Sequence, residues 1–160
     1  MKFIAEGELG RLAKRLVMLG FDCCYDGGMS LVNAMQKAAL EERILLSRKP
    51  LTGTKRTKVL RITSAYPNEQ LLQIAAAFRL YETADPFSRC LVCNVRIEEL
   101  KDYTSAPDSM DNGEGVKVPE SVIERGLVLY QCPECRRIYW HGSHIKRMKA
   151  MLAGAGFELK

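Results

Sequence analysis

Four of the six cysteines form two Cys-x-x-Cys pairs in the second half of the chain. Cys90 and Cys93 stand in RCLVCN, and Cys132 and Cys135 stand in QCPECRRIYW. Thiolates are ligands that zinc prefers, and four of them complete a tetrahedral shell with no position open for water. The pattern therefore predicts a structural zinc, the alternative being four free buried thiols. His141 and His144 are further potential ligands, which a set of four cysteines does not need.

A run of basic residues without any acid occupies the stretch SRKPLTGTKRTKVLR. Residues 1–89 hold 14 Lys and Arg against 9 Asp and Glu, whereas residues 90–160 hold 10 of each, so the whole net charge of +5 lies in the first part. Clustered positive charge attracts polyanions. The run therefore predicts a polyanion-binding surface, and the alternative is a solvated loop that only keeps the protein soluble.

Composition sets the class of protein. A chain of 160 residues with 47% hydrophobic content can bury one core, or one core and a small satellite. No stretch approaches the ~20 consecutive apolar residues that a membrane-spanning helix needs, and the start lacks a charged-then-apolar signal pattern. We therefore expect a cytoplasmic protein without a membrane partner, whose cysteines are metal ligands or buried thiols rather than disulfides.

Hydrophobic periodicity predicts an alternating α/β fold. Four short apolar strands are expected in KFIA, DCCYD, RILLS and VLRI. Helical spacing of apolar residues follows the first strand up to Gly20, follows the second strand from a Ser30 cap, and resumes from Pro67 at a helix start. The order β-α-β-α-β-β-α favours a mainly parallel sheet with helices on both faces.

Ligands of open α/β sheets bind beyond the carboxyl ends of the strands. The residues expected at this edge are mixed in charge: they are Glu6, Glu8, Asp26, Arg48, Lys49, Thr63 and Ser64. Acids alone would indicate a divalent-metal site and bases alone a phosphate site. The mixture leaves both chemistries open.

The chain resembles the Mut-seven C-terminal ribonuclease family along nearly its whole length. The segments that carry the resemblance occur in the same order, and they are FIAEGELGRLAKRLVMLGFDCCY, EERILLSRKPL, PNEQLL, RCLVCN and CPECRRIYWHGSH. The resemblance implies a PIN-like domain over residues 1–88, followed by a small zinc ribbon with a C-terminal helix over residues 89–160. It also implies RNA as the substrate class and hydrolysis assisted by magnesium or manganese held by carboxylates. The residues that become candidates for RNA binding are Arg11, Lys14, Arg15, Arg48, Lys49, Lys55, Arg56 and Lys58.

The sequence departs from the family pattern at the acidic positions. Glu6 stands where the family usually has Asp, and GGMSLVN replaces a segment that usually carries an acid. The family's Thr-Arg-Asp after the third strand is here Ser47-Arg48-Lys49, so an ammonium replaces a hard oxygen ligand. Hydrolysis with two metal ions needs several converging carboxylates, and two positions are lost.

These departures leave three hypotheses. The first is an RNA-binding PIN-like protein with weak or no hydrolytic activity. The second is an active magnesium- or manganese-dependent ribonuclease with a rearranged site, whose catalytic candidates are Glu6, Asp22 and Asp26, with Glu8 in support. The third is an adaptor whose zinc ribbon binds a protein partner. The mixed-sign edge favours the first over the second, and the clustered charge favours it over the third.

Overall fold

The computed structural model describes residues 1–53, 55, 57–101 and 118–157. Arg56 and the side chain of His144 lie outside the described residues. The strands are β1 (Lys2–Ala5), β2 (Asp22–Tyr25), β3 (Ile44–Ser47), β4 (Val59–Arg61), β5 (Glu98–Glu99), β6 (Leu129–Gln131) and β7 (Ile138–Trp140). The helices are α1 (Gly10–Met18), α2 (Leu31–Leu40), α3 (Pro67–Phe78), α4 (Leu80–Thr83), α5 (Glu120–Glu124) and α6 (Ser143–Ala153), and a 3₁₀ turn over Gly7–Leu9 precedes α1.

Strands β1 to β4 form a parallel sheet in the order β2-β1-β3-β4, which confirms the predicted α/β architecture. The central strands β1 and β3 are the most deeply buried, as expected for strands covered on both faces. Their register pairs Phe3 with Ile44 and Ala5 with Leu46, so side chains of equal orientation lie side by side. The carboxyl ends of all four strands therefore meet at one edge of the sheet.

Side chains alternate between the two faces of this sheet, because successive strand residues point in opposite directions. Phe3, Ala5 and Leu46 pack on one face with α1 and α3 in the larger core. Ile4 and Leu45 pack on the other face with α2 in a smaller core. The result is the three-layer arrangement that the periodicity predicts.

Local signals set the helix boundaries where the sequence indicates them. The Ser30 hydroxyl accepts a 3.2 Å hydrogen bond from the Asn33 N–H and caps α2. Pro67 is the first residue of α3, where its missing N–H costs nothing. Gly20 follows α1 with φ of +86°, and a Cβ there would lie 2.1 Å from the Asp85 carbonyl oxygen, so only glycine fits.

The cysteine-bearing segment forms a second, antiparallel sheet in the order β5-β6-β7. It has a small core of its own, in which Val118, Val122, Leu129 and Ile138 are buried. The chain then returns to the first core through α6 and the residues after it, because Leu152, Ala155 and Phe157 are buried in the larger cluster. The division into residues 1–88 and 89–160 stays a prediction, and these contacts show that the two segments share a core.

Asp22 links the two sheets. It is the first residue of β2 and pairs with Lys2, so it lies at the amino edge of the parallel sheet. Its Oδ1 accepts hydrogen bonds from Arg43 Nη1 at 2.5 Å and from the side-chain amide of Asn94 at 2.7 Å. Asn94 in turn accepts from the N–H of Cys23 on the edge strand β2. The position predicted as catalytic thus joins the first cysteine turn to the sheet, and the structure does not bring it to the edge that carries Glu6.

We expect Asp22→Asn to lower the free energy of unfolding by about 1–3 kcal/mol, because the Arg43 guanidinium loses one of its two charged partners and keeps only Glu41. Burial opposes ionisation of Asp22, yet the hydrogen bonds from Arg43 and Asn94 outweigh it and lower the carboxyl pKa. This contribution is present above the ordinary Asp pKa and is lost as the pH falls through the lowered one. Urea denaturation at several pH values measures it.

Glu42→Gln is the matched control, since Glu42 is an exposed carboxylate near the same edge. Equal stability of the Asp22→Asn variant and this control at neutral pH would contradict the linking role.

Candidate functional site

The four predicted zinc ligands converge in space. The sulfur atoms of Cys90, Cys93, Cys132 and Cys135 all lie within 4.8 Å of one another, and the Sγ atoms of Cys90 and Cys135 are 3.7 Å apart. Four thiolates around a tetrahedral zinc at about 2.3 Å would be separated by about 3.8 Å. The cluster can therefore hold one metal ion, and its donor set fits zinc.

The two cysteine turns have the same backbone geometry. In the first, Asn94 N–H donates to the Cys90 carbonyl at 3.0 Å, and in the second, Arg136 N–H donates to the Cys132 carbonyl at 3.0 Å. Asn94 and Arg136 both have positive φ, of 61° and 63°. The N–H groups of Cys93 and Cys135 face the sulfur of the preceding cysteine at 3.4 and 3.5 Å. Each turn thus presents its pair of sulfurs with backbone donors that favour the thiolate form.

Tyr139 also belongs to this cluster, although the spacing of the cysteines does not predict it. Its hydroxyl lies 3.0 Å from the Cys90 sulfur and accepts from the Leu91 N–H at 3.3 Å. Burial opposes ionisation of Cys90, but the Cys93 N–H and the Tyr139 hydroxyl outweigh it and lower the Cys90 pKa to about 7. The signal was present in the sequence, because Tyr139 belongs to the segment that follows the second cysteine pair.

Glu6 directly follows β1 and lies at the carboxyl edge of the parallel sheet. Its side chain is buried, with 7% exposure. Oε2 accepts from the Ser47 hydroxyl at 2.9 Å, and Oε1 accepts from the backbone N–H of Arg48. Ser47 also accepts from the Lys49 N–H at 3.0 Å. The carboxylate therefore fastens the loop after β3 to the end of β1, and both of its oxygens are engaged.

Three exposed carboxylates lie at the same edge. Asp26 follows β2 and accepts from the Gly28 N–H at 2.9 Å, which closes its own turn. Glu8 lies 4.0 Å from Arg48 Nε. Glu69, in the first turn of α3, accepts from the Ser64 hydroxyl at 2.6 Å. Glu69 was not among the predicted site residues, although it stands in the segment PNEQLL directly after the fourth strand.

The carboxylates do not form a cluster that fits a divalent ion. Of the three predicted catalytic acids, Glu6 and Asp26 share the carboxyl edge, and Asp22 lies at the amino edge. In the described part of the chain, the four cysteines are the one group of three or more Cys, His, Asp or Glu residues whose donor atoms come close enough to hold a metal.

The basic run divides between two opposite edges of the sheet. Arg48 and Lys49 follow β3 at the carboxyl edge, whereas Lys55 and Lys58 line a cavity of about 960 Å³ with Met1 at the amino edge. The reason is topological: β4 is parallel to β3, so the connecting segment must return from one edge to the other. The expected single track over residues 48–61 is therefore not continuous in the described structure.

The polar side of α1 keeps its predicted charges. Arg11 and Lys14 are exposed, and Arg15 is half-buried, with its Nη1 donating to the Asn68 side-chain carbonyl at 2.7 Å. Burial and the neighbouring charge of Arg11 lower the Arg15 pKa from its ordinary value. Arg11 stands at the start of α1, close in sequence to the carboxyl edge, and Arg15 also contributes to packing against α3.

A parallel α/β layer with a four-cysteine metal centre is the class of protein that this structure defines. The family model described as the Mut7-C RNAse domain matches residues 1–152. The chain belongs to this family, which confirms the resemblance and indicates an RNA-related function of a ribonuclease family. Comparison with curated proteins and with solved structures yields no match.

No helix in the described ranges of the chain has both the length and the apolar character needed to cross a membrane.

We predict about one zinc per chain, bound through the four cysteines. Cys132→Ser removes a buried ligand, so the metal should be lost together with the packing of β5, β6 and β7, because small domains of this type fold with their metal. Elemental analysis and circular dichroism measure the two effects. Cys24→Ser, at a half-buried cysteine outside the cluster, is the control and should retain the metal. A chelator-stripped protein with unchanged thermal stability would contradict the structural role.

Proposed function

We propose that this Mut7-C family member binds RNA at the carboxyl edge of its parallel sheet and hydrolyses it weakly or not at all. The observation that supports this most directly is the engagement of Glu6 by Ser47 and the Arg48 N–H. These hydrogen bonds hold the carboxylate against the loop after β3, so a metal there would have to share oxygens that already bind Ser47 and the Arg48 N–H.

The charges at the edge support binding of phosphate over binding of a cation. Lys49 is exposed there, and it stands where the family resemblance places a metal-binding Asp. At an effective dielectric constant of about 20, two unit charges ~4 Å apart interact by about 4 kcal/mol. Lys49 is exposed, so water and salt reduce its interaction energy, but the sign of its charge disfavours a divalent cation and favours an RNA phosphate. Arg61, exposed at the end of β4, adds to the same field.

A rearranged nuclease site is the second candidate, because Glu8, Asp26 and Glu69 are exposed at this edge. These carboxylates would have to leave their present partners and converge around a metal. The adaptor hypothesis places the function on the cysteine-bearing segment instead. It predicts that the charges at the carboxyl edge have no effect on RNA binding.

A reducing compartment such as the cytoplasm suits this proposal. All six cysteines are free thiols, and four of them must stay reduced to hold a metal.

We predict that RNA affinity falls steeply with salt concentration and that this dependence arises from the charges at the carboxyl edge. The slope of log K against log salt should be roughly −0.7 for each phosphate neutralised on a single strand. The double variant Lys49→Gln/Arg61→Gln should make the slope shallower by about 1.4, since it removes two such contacts at the carboxyl edge. Fluorescence anisotropy of labelled RNA of unrelated sequences measures this.

The matched control is Lys55→Gln/Lys58→Gln, which removes the same charge from the same run at the opposite edge. It should leave the slope nearly unchanged. Equal slopes for the unmodified protein and both double variants would favour the adaptor hypothesis.

Hydrolysis gives a separate prediction. Lys49→Asp should raise Mn²⁺ affinity and any residual RNA cleavage while weakening RNA binding in the absence of metal, because it exchanges a repelling charge for an oxygen ligand. Lys58→Asp carries the same change of charge to the amino edge and should raise neither. Calorimetric Mn²⁺ titration and cleavage of labelled RNA measure the two effects.

One result would establish the rearranged nuclease instead: cleavage by the unmodified protein with Mn²⁺ at rates of about 1 s⁻¹ or more, abolished both by Glu6→Gln and by Asp26→Asn at the exposed carboxylate of the same edge.

A further inference from the structure

An aromatic pocket lies between the cysteine-bearing sheet and α6, away from the carboxyl edge. Its volume is about 250 Å³, and its walls include the rings of Phe87, Tyr130, Tyr139, Trp140 and His141. These residues come from β6, β7 and the loop before the first cysteine pair. The YWHGSH segment, which neither the metal centre nor the carboxyl edge accounts for in full, thus forms one side of the pocket.

The exposed ring of His141 stands between two other aromatic rings. It is stacked on Tyr130 with centroids 6.0 Å apart and an angle of 29°, and it meets the edge of Phe87 at 6.3 Å. Ile145 and Met148 of α6 supply an apolar floor. Flat rings around an apolar floor suit a flat, aromatic ligand, because stacking then adds to the burial of apolar surface.

The metal centre holds the pocket in shape. Tyr139 lines the pocket and is fixed through its hydroxyl against the Cys90 sulfur. Arg89, also in the lining, donates from Nε to the Gly20 carbonyl at 3.0 Å and from Nη1 to the Asn94 carbonyl. The walls are therefore anchored to the first cysteine turn and to the α/β core, and the pocket is preformed.

The volume of the pocket and the charge in its wall limit the kinds of ligand that it can bind. Pockets for drug-sized molecules usually measure about 300–1,000 Å³, so this one accepts a single small ring system. Arg89 is half-buried and lines the pocket, so its guanidinium puts one positive charge in the pocket wall. Positive charge beside an aromatic pocket fits a base that is attached to phosphates, since unpaired RNA bases stack on aromatic rings and guanidinium planes.

We propose that this pocket binds one unpaired base of RNA, with Tyr130 and His141 as stacking surfaces and the Arg89 guanidinium as the positive charge in its wall. The proposal rests on RNA as the ligand class in the proposed function, and it adds a second binding site that reads a base rather than the backbone.

Trp140 provides a direct readout, because it lines the pocket and is the one tryptophan of the sequence. The experiment titrates the metal-loaded protein with a short single-stranded RNA and with an abasic ribose-phosphate chain of equal length, and follows tryptophan fluorescence. The RNA should change the emission of Trp140 and bind more tightly. The abasic chain has the same charge and should bind by charge alone, without the change in emission.

His141→Ala and Tyr130→Leu should each weaken RNA binding by roughly 5- to 150-fold, the range measured for loss of one base–aromatic stack. Neither variant should alter the slope of affinity against salt. His141 is exposed, so its variant tests the pocket with little risk to the fold, and a retained metal content checks both variants. Tyr81→Leu, at an exposed aromatic residue in α4, outside the pocket and beyond the end of α3 that is distant from the carboxyl edge, is the control and should bind normally.

Equal affinity for RNA and the abasic chain, with unchanged Trp140 emission, would overturn the pocket proposal, including when RNA binding itself is strong and salt-sensitive. In the converse result, RNA still changes Trp140 emission in the Lys49→Gln/Arg61→Gln variant while the slope of affinity against salt stays the same as in the unmodified protein. The persisting emission change would support the pocket proposal, and the unchanged slope would refute binding at the carboxyl edge. The two proposals therefore fail separately.

Discussion

The buried Glu6 carboxylate determines the character of the carboxyl edge. A charge removed from water is tolerated only when hydrogen bonds replace its hydration, and Glu6 obtains them from Ser47 and the Arg48 N–H. This contact joins the ends of the two central strands and sets the course of the loop that carries Arg48 and Lys49. Glu6 thus acts as a structural link, and the exposed surface around it carries both basic and acidic side chains.

The metal centre plays the corresponding part for the second half of the chain. The core of the antiparallel sheet is small, and a metal ion held by the four cysteines of the two equivalent turns would supply the cross-link that it lacks. Asn94 belongs to the first of these turns and reaches Asp22 and the edge strand β2. The return of α6 to the larger core completes the attachment. Metal, pocket and α/β layer are consequently parts of one packed unit.

The two surfaces that we propose for RNA both follow from this construction. The carboxyl edge presents positive charge on loops that a rigid parallel sheet positions, which suits contact with a phosphate backbone. The aromatic pocket lies on the metal-braced segment and has the shape for a base. Proteins that bind single-stranded nucleic acids commonly combine positive charge, which contacts the backbone, with aromatic side chains, on which the bases stack.

The sequence by itself determined the features that depend on local pattern. Short apolar runs predicted the strands, Ser30, Pro67 and Gly20 marked helix boundaries, and the spacing of the cysteines indicated the metal ligands. Each of these signals lies within a few residues, so no knowledge of the fold is needed to interpret it.

Only the tertiary structure decided which of these residues share a surface. Lys49 and Lys58 are near in sequence and lie at opposite edges, because parallel pairing forces the chain to cross the sheet between them. Asp22 begins its strand while Asp26 follows it, so two acids four positions apart are separated in the same way. Tyr139 reaches Cys90 across 49 positions through the closing of the metal centre. Such contacts depend on strand direction and on packing between distant segments, which no local pattern encodes.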